Sequence, residues 1–120
     1  MRKISPHFYR KEFACPCGCG ADTVDAELLE LLEAIRERFG PVFISSGFRC
    51  FSQNARVKGA KKSFHTQGKA ADIILKGATP GEVAQWLNTA YPDRYAVIEY
   101  PRHVHIDVRE MPYRMKSHYK

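Results

Sequence analysis

The seven residues 103–109, HVHIDVR, alternate strictly between polar and apolar side chains. Side chains two residues apart on a β-strand point to the same side of the sheet, so the pattern predicts a strand with its apolar residues in the core. The ionisable side chains on the other face are His103, His105, Asp107 and Arg109. Burying such a face without an ion or water is costly, so we expect either a solvated outer face or a bound ion.

The rest of the chain predicts a mixture of helices and short strands. Apolar residues recur at three- and four-residue steps over residues 25–39, which predicts a helix that ends at Gly40-Pro41. Other predicted elements are strands at 42–46, 71–75 and 95–100, one or two helical turns at 51–58, a basic surface loop at 59–68, and a helix from a capping box at 79–82 to about 91. We therefore expect one α+β domain over residues 1–120, an antiparallel sheet flanked by helices.

Composition narrows the possible partners. The chain is 44% hydrophobic and 27% charged, as in ordinary globular proteins. Its formal net charge of +6 favours an acidic partner, which could be nucleic acid, an anionic surface or a polyanionic cell-wall polymer. No helix carries a one-sided Lys/Arg stripe, so we do not expect nucleic-acid binding. Neither a signal-peptide core nor an apolar run of roughly 20 residues is present, so we expect synthesis in the cytoplasm and no membrane insertion. We also expect the protein to be a monomer.

Four cysteines allow two interpretations. Cys15, Cys17 and Cys19 lie in the segment CPCGCG, and Cys50 stands alone. They would form either a small structural metal site, with His7 as a further ligand, or reduced thiols in a tight N-terminal turn. Cysteines two residues apart are poor disulfide partners, and the spacing is not the C-x2-C usual for zinc. We therefore expect reduced thiols without a second ion.

A second polar cluster precedes the predicted strand at 71–75. The segment 63–72 places His65 in a loop and Asp72 at the start of the strand, and Gly68 between them lets the chain turn. Both side chains can then converge on one point with His105 from a neighbouring strand. Two imidazoles and one carboxylate suit zinc, and three protein ligands leave the open position that a catalytic site needs.

Several motifs together closely resemble the zinc D-alanyl-D-alanine carboxypeptidase family. This family includes phage endolysins that cut the L-alanyl-D-glutamate bond, and the vancomycin-resistance dipeptidases. The motifs that carry the resemblance are F-x-x-x-E-F at 8–13, SGFR at 46–49, Asn54, Gly59-Ala60, S-x-H-x-x-G-x-A-x-D at 63–72, and H-x-D at 105–107. The resemblance implies the hedgehog-like DD-peptidase fold with a zinc site on the sheet.

The resemblance also assigns roles to individual residues. It implies that His65, Asp72 and His105 bind one zinc ion and that Arg49 faces the carboxylate of the substrate. Ser63 would either hydrogen-bond the substrate or a ligand, or cap the loop. The implied reaction is attack of metal-bound water on an amide bond.

The general base is the point at which the chain departs from its relatives. Many of them carry an acidic residue three positions before the last zinc ligand, where this chain has Arg102. We expect His103 to act as proton shuttle or transition-state stabiliser. Glu99 is the reserve base, because it lies an even number of residues from His103 and its carboxylate could therefore lie on the same side of the sheet. Asp107 is expected to orient His105 through its second ring nitrogen.

The function expected from the resemblance is cell-wall degradation. The substrate would be the peptide stem of peptidoglycan, cut by a carboxypeptidase or by an endopeptidase of the endolysin type from a phage or prophage. Such an enzyme, made without a signal peptide, would reach the wall by lysis or another export route. The alternative is a non-catalytic zinc module on the same fold that only binds the cell wall.

Overall fold

A computed structural model of the chain describes residues 3–59 and 63–109. Residues 60–62, which belong to the predicted loop and include Ala60 of the motif, and the C-terminal residues 110–120 lie outside the described residues. The elements are β1 (Lys3–Ser5), β2 (Phe8–Tyr9), α1 (Ala26–Phe39), β3 (Val42–Ser46), α2 (Phe51–Arg56), β4 (Ala70–Leu75), α3 (Pro80–Ala90), β5 (Ala96–Glu99) and β6 (Val104–Asp107). Two 3-10 turns, Arg10–Phe13 and Phe64–Gln67, complete them.

The central sheet has four antiparallel strands in the order β3-β4-β6-β5. Strands β4 and β6 are neighbours, and their register places Asp72 directly opposite His105. Residues opposite each other in an antiparallel pair have their side chains on the same face, close enough to interact. The strand pairing therefore brings together two of the side chains that the sequence had placed 33 residues apart.

The two longer helices, α1 and α3, pack on the face of the sheet opposite to the one that carries Asp72 and His105, and one hydrophobic core lies between them. Asp25 caps helix α1, and its carboxylate accepts hydrogen bonds from the backbone N–H groups of Glu27 and Leu28. Helix α3 begins with a capping box and a proline. The core includes buried residues of both helices and of the sheet: Leu28, Leu32, Ile35, Ile73, Val83, Leu87, Val104 and Ile106. Each fully buried Leu or Ile contributes about 1.5–3 kcal/mol to stability. The helices cover this face of the sheet and leave open the face that carries Asp72 and His105.

The predicted α+β class and the main elements are confirmed; about half of the predicted ends are shortened by one or two residues, and β4 begins one residue earlier. The structure adds the short hairpin of β1 and β2, which is too brief to leave a periodic pattern. It also corrects the surface loop predicted at 59–68, because His65 lies there in a 3-10 turn and is only 3% exposed.

No helix in the described part of the chain is both long and apolar enough to cross a membrane.

Candidate metal centre

Asp72 and His105 meet on the face of the sheet that the helices leave open. The Nδ1 atom of His105 lies 3.0 Å from Oδ1 of Asp72. Both side chains are about 14% exposed, so they lie mostly out of solvent but remain reachable from it. The pair forms one side of the candidate site.

His65 approaches the same carboxylate from the 3-10 turn. Ser63 caps this turn by accepting a hydrogen bond from the backbone N–H of His65 at 3.1 Å, and Gly68 ends it with a left-handed φ of 74°. The Nδ1–H of His65 donates to the carbonyl of Gly47 at 2.8 Å. Its Nε2 atom is thereby left as an acceptor and lies 3.3 Å from Oδ1 of Asp72.

His105 is oriented by a buried carboxylate on its other side. Its Nε2–H donates to Oδ2 of Asp107 at 2.7 Å. Asp107 is fully buried and is held by two hydrogen bonds of 2.6 Å from the Nε and Nη2 atoms of Arg109. Histidines that bind metals usually donate their second ring N–H to a carboxylate or a carbonyl, which fixes the ring and its tautomer. Both histidines of this site have such a partner.

The three side chains fit a zinc ion in chemistry and in spacing. One candidate ligand atom each from His65, Asp72 and His105 lies within 4.8 Å of the other two. Ligands about 2.0–2.1 Å from a tetrahedral zinc ion lie about 3.3 Å from one another, and the two contacts to Asp72 Oδ1 measure 3.0 and 3.3 Å. Two imidazole nitrogens and a carboxylate oxygen are a typical set for catalytic zinc.

The ionisation of the metal-free cluster also favours a cation. Burial raises the pKa of Asp72, but hydrogen bonds from His105 and His65 outweigh it and hold this pKa well below its usual range. Burial lowers the pKa of His105, while hydrogen bonds to Asp107 and Asp72 raise it to about 9. Burial likewise raises the pKa of Asp107, and the Arg109 guanidinium and His105 bring it below its usual value. The raised pKa keeps a proton on the His105 ring between the carboxylates of Asp72 and Asp107, and a metal ion at Nδ1 would take the place of that proton.

Arg49 borders the site in a fixed orientation. Its Nε atom donates to the Ser46 hydroxyl at 3.3 Å and its Nη1 atom to the Asn54 side-chain carbonyl at 3.0 Å. The remaining Nη2 atom lies 3.6 Å from Oδ2 of Asp72. The backbone N–H of Arg49 donates to the carbonyl of His65 at 3.1 Å, so the Arg49 loop and the His65 turn hold each other in place.

Of the two bases considered from the sequence, the structure places only His103 beside the site. Its Nε2 atom lies 4.0 Å from Oδ2 of Asp72, and its ring stacks on Tyr100 with 4.5 Å between centroids. Glu99 pairs with Val104, a core residue, and its carboxylate lies against Gly81 at the start of α3. The parity argument for Glu99 was wrong, because the β5–β6 register places it on the face opposite His105.

The cysteines form a separate group. Cys15, Cys17, Cys19 and Cys50 each offer a sulfur atom within 4.8 Å of the other three. His7 does not join them, since its Nδ1 atom pairs with Glu33 at 2.7 Å.

The sequence model of one protein family matches most of the chain. The model for Peptidase M15 matches residues 6–107. The chain belongs to the Peptidase M15 family. Peptidases of the M15 family depend on zinc, and the three converging side chains of this M15 member are the candidate ligands. No curated protein sequence matches the chain.

Two contributions to this M15 site were not identified from the sequence. The carbonyl of Gly47 orients His65, and Arg109 neutralises the buried Asp107. Gly47 stands inside the SGFR segment and Arg109 ends the alternating segment, so both lay within recognised patterns. Their roles depend on contacts across the fold, which spacing along the chain does not show.

The crowding at Gly47 yields a testable prediction. A Cβ atom at this position would lie 2.8 Å from Cα and 3.0 Å from the carbonyl oxygen of Phe13. We expect Gly47→Ala to lower the free energy of unfolding by about 1–3 kcal/mol, the usual cost of overpacking, as measured by urea denaturation. The control is Gly81→Ala, whose Cβ would meet only the flexible end of Glu99 at 3.3 Å. Equal stability of the two variants would contradict this account of Gly47.

Proposed function

We propose that this M15 family member is a zinc peptidase that hydrolyses an amide bond in the peptide stem of peptidoglycan. His65, Asp72 and His105 hold one zinc ion, and Arg49 and His103 act on the substrate around it. The observation that carries the proposal is the convergence of the three ligand atoms within 4.8 Å on the open face of the sheet. The family membership supplies the class of chemistry.

Held by these three side chains, a zinc ion would keep one open coordination position and supply Lewis acidity toward a carbonyl oxygen and toward water. The chain contributes the orientation of the candidate ligands: the Gly47 carbonyl and the Asp107 carboxylate keep Nε2 of His65 and Nδ1 of His105 directed at the site.

Arg49 is suited to bind the carboxylate of the stem peptide. Ser46 and Asn54 restrain its guanidinium group, so little side-chain freedom is lost when a substrate arrives. Arginine pairs with carboxylates in a planar, bidentate geometry. Ser63 remains a capping residue in this proposal, since its hydroxyl already accepts from the His65 N–H.

His103 is the proposed proton carrier. It lies next to the candidate ligands without contacting Asp72 Oδ1, and an imidazole ring can both accept and donate a proton. Its side chain is 30% exposed, so protons can exchange with solvent. In this role it removes a proton from the attacking water and delivers one to the leaving amine.

Substitutions of His103 test its role as the proton carrier. We expect His103→Ala to lower kcat by about 10²–10⁴-fold, the usual contribution of a general acid or base, with zinc content unchanged. His103→Phe, which keeps an aromatic ring against Tyr100, should lose as much. Arg102→Ala, at the exposed neighbouring position, is the matched control and should keep its rate. Full activity in His103→Phe would remove His103 from the mechanism.

The substrate is proposed from the family resemblance and from the charge of the chain. The stem peptide carries D-residues and free carboxylates, and the net charge of +6 favours adsorption to an anionic cell wall. The experiment is to incubate purified sacculi with the protein and analyse the muropeptides by mass spectrometry, with a chelator control. Loss of a terminal D-alanine identifies a carboxypeptidase, and a break after L-alanine identifies an endopeptidase of the endolysin type.

One observation favours a second function, a zinc-containing module that binds the wall without cutting it. Arg102 replaces the acid found in many relatives, and Glu99 lies on the other face of the sheet. In that case sacculi would retain the protein in a zinc-dependent manner while their muropeptides stayed unchanged. Release of any stem fragment that stops with chelator excludes this alternative.

A further inference from the structure

The four cysteines converge in a second cluster, separate from the candidate zinc ligands. Three come from the loop at residues 15–19, and the fourth, Cys50, lies 35 residues after Cys15, just before α2. The sulfur atoms of Cys15, Cys17 and Cys50 form a triangle with sides of 3.5, 3.7 and 3.6 Å. The sulfur of Cys19 lies within 4.8 Å of all three.

We propose that these four cysteines bind a second, structural metal ion of the zinc type. Four sulfur ligands at about 2.3 Å from a tetrahedral zinc ion lie about 3.8 Å from one another, close to the three measured separations. The described cysteines are all free, and a disulfide would require a sulfur separation of about 2.05 Å. A set of four thiolates selects zinc or iron among the common metals.

The backbone around the sulfur atoms is arranged as in metal–thiolate sites. The N–H of Cys50 points to the sulfur of Cys15 at 3.5 Å, and the N–H of Gln53 points to the sulfur of Cys50 at 3.4 Å. Hydrogen bonds to coordinating sulfur atoms are a common outer shell of metal sites. Gly18 adopts a left-handed φ of 88°, which lets the short loop present its cysteines to one side.

The identity and exposure of the cysteines also favour a ligand role. The sulfur of Cys50 caps α2 by accepting from the N–H of Gln53, but serine, threonine, aspartate or asparagine is usual at this position, so capping alone does not call for a cysteine. Cys17 and Cys19 are exposed, and adjacent exposed thiols oxidise readily unless something protects them. A bound metal ion explains both features.

A metal ion in the cysteine cluster would fasten the N-terminal segment to the loop that carries Arg49. Cys50 directly follows Arg49, and Phe13 lies two residues before Cys15. The backbone N–H of Phe48 already donates to the carbonyl of Phe13 at 2.9 Å. The second ion therefore links the N-terminal segment to the Arg49 loop beside the candidate zinc centre, and its ligands are separate from those of that centre.

Metal counting and spectroscopy test the proposal without an activity assay. Protein purified with zinc and a phosphine reductant should contain two zinc ions per chain, falling to one in His65→Ala and to one in Cys19→Ser. Cobalt added to metal-free His65→Ala should give the sulfur-to-metal charge-transfer absorption of a tetrahedral thiolate site. This band should be lost in the His65→Ala, Cys19→Ser double variant. Pro16→Ala, in the same loop with all four thiols intact, is the control.

A thiol assay on the wild-type protein needs no variant at all. The cysteines should react slowly with a thiol reagent in the presence of zinc and rapidly once a chelator is added. One zinc ion per chain in the wild type that is lost in His65→Ala, no thiolate absorption with cobalt, or thiols whose reactivity is unaffected by zinc would each overturn the proposal. A loss of two mass units, which reports a disulfide in the reduced preparation, would overturn it as well.

Discussion

Replacing His65 with alanine is expected to abolish peptide hydrolysis and to remove the ion at the candidate zinc centre. The substitution deletes a candidate ligand that is only 3% exposed and whose ring is fixed by the Gly47 carbonyl. We expect activity on sacculi to fall by at least about 1,000-fold, since even one oxyanion donor is worth about 10²–10³ in kcat. The measurements are the release of stem fragments and zinc content by atomic emission.

The control for this variant is another histidine. His7 lies outside the ligand cluster and forms an exposed ion pair with Glu33. Exposed pairs contribute little to stability, so His7→Ala should keep both the zinc content and the rate. A His65→Ala protein that hydrolyses the stem at the wild-type rate would show that the activity does not depend on this ligand.

Replacing Asp107 with asparagine is expected to affect stability and zinc affinity together. The carboxylate is fully buried between His105 and Arg109, and asparagine removes its charge while nearly preserving its shape. We expect the free energy of unfolding to fall by about 2–3 kcal/mol. This is less than the usual cost of breaking a fully buried ion pair, because Arg109 keeps some contact with solvent. Zinc affinity should fall by about 10–100-fold, the usual effect of removing an outer-shell partner of a histidine ligand.

Two measurements on the same samples test this prediction. Urea denaturation of the metal-free protein gives the loss of stability, and competition with a chromophoric chelator gives the zinc affinity. Asp93→Asn is the matched control, because Asp93 is exposed and its left-handed backbone conformation suits asparagine as well. If Asp107→Asn binds zinc as tightly as the control, the carboxylate does not position His105.

The sequence was informative wherever a local pattern determined the structure. The alternation at residues 103–109 predicted β6, and the apolar spacing at 25–39 predicted α1, because both patterns report which face of an element meets the core. The turn at Gly68 was predicted because glycine adopts positive φ angles readily, and the structure has φ of 74° there. Each of these features depends on neighbours within a few residues.

What the sequence left undetermined depends on register and on contacts between distant segments. Glu99 was assigned to the wrong face because the parity of one strand does not fix its pairing with the next. The approach of Cys50 to Cys15 joins segments 35 residues apart and follows no spacing rule for metal sites. The buried position of His65 depends on a 3-10 turn that packs against the Arg49 loop, where the basic composition had suggested a surface loop.

The three-ligand zinc site can be seen directly in an anomalous difference map at the zinc absorption edge, from crystals grown with zinc. We expect a peak at about 2.0–2.2 Å from Nε2 of His65, Nδ1 of His105 and a carboxylate oxygen of Asp72. A zinc-loaded crystal with no peak between these side chains, or with any of the three turned away from the peak, would show that they do not form a zinc site.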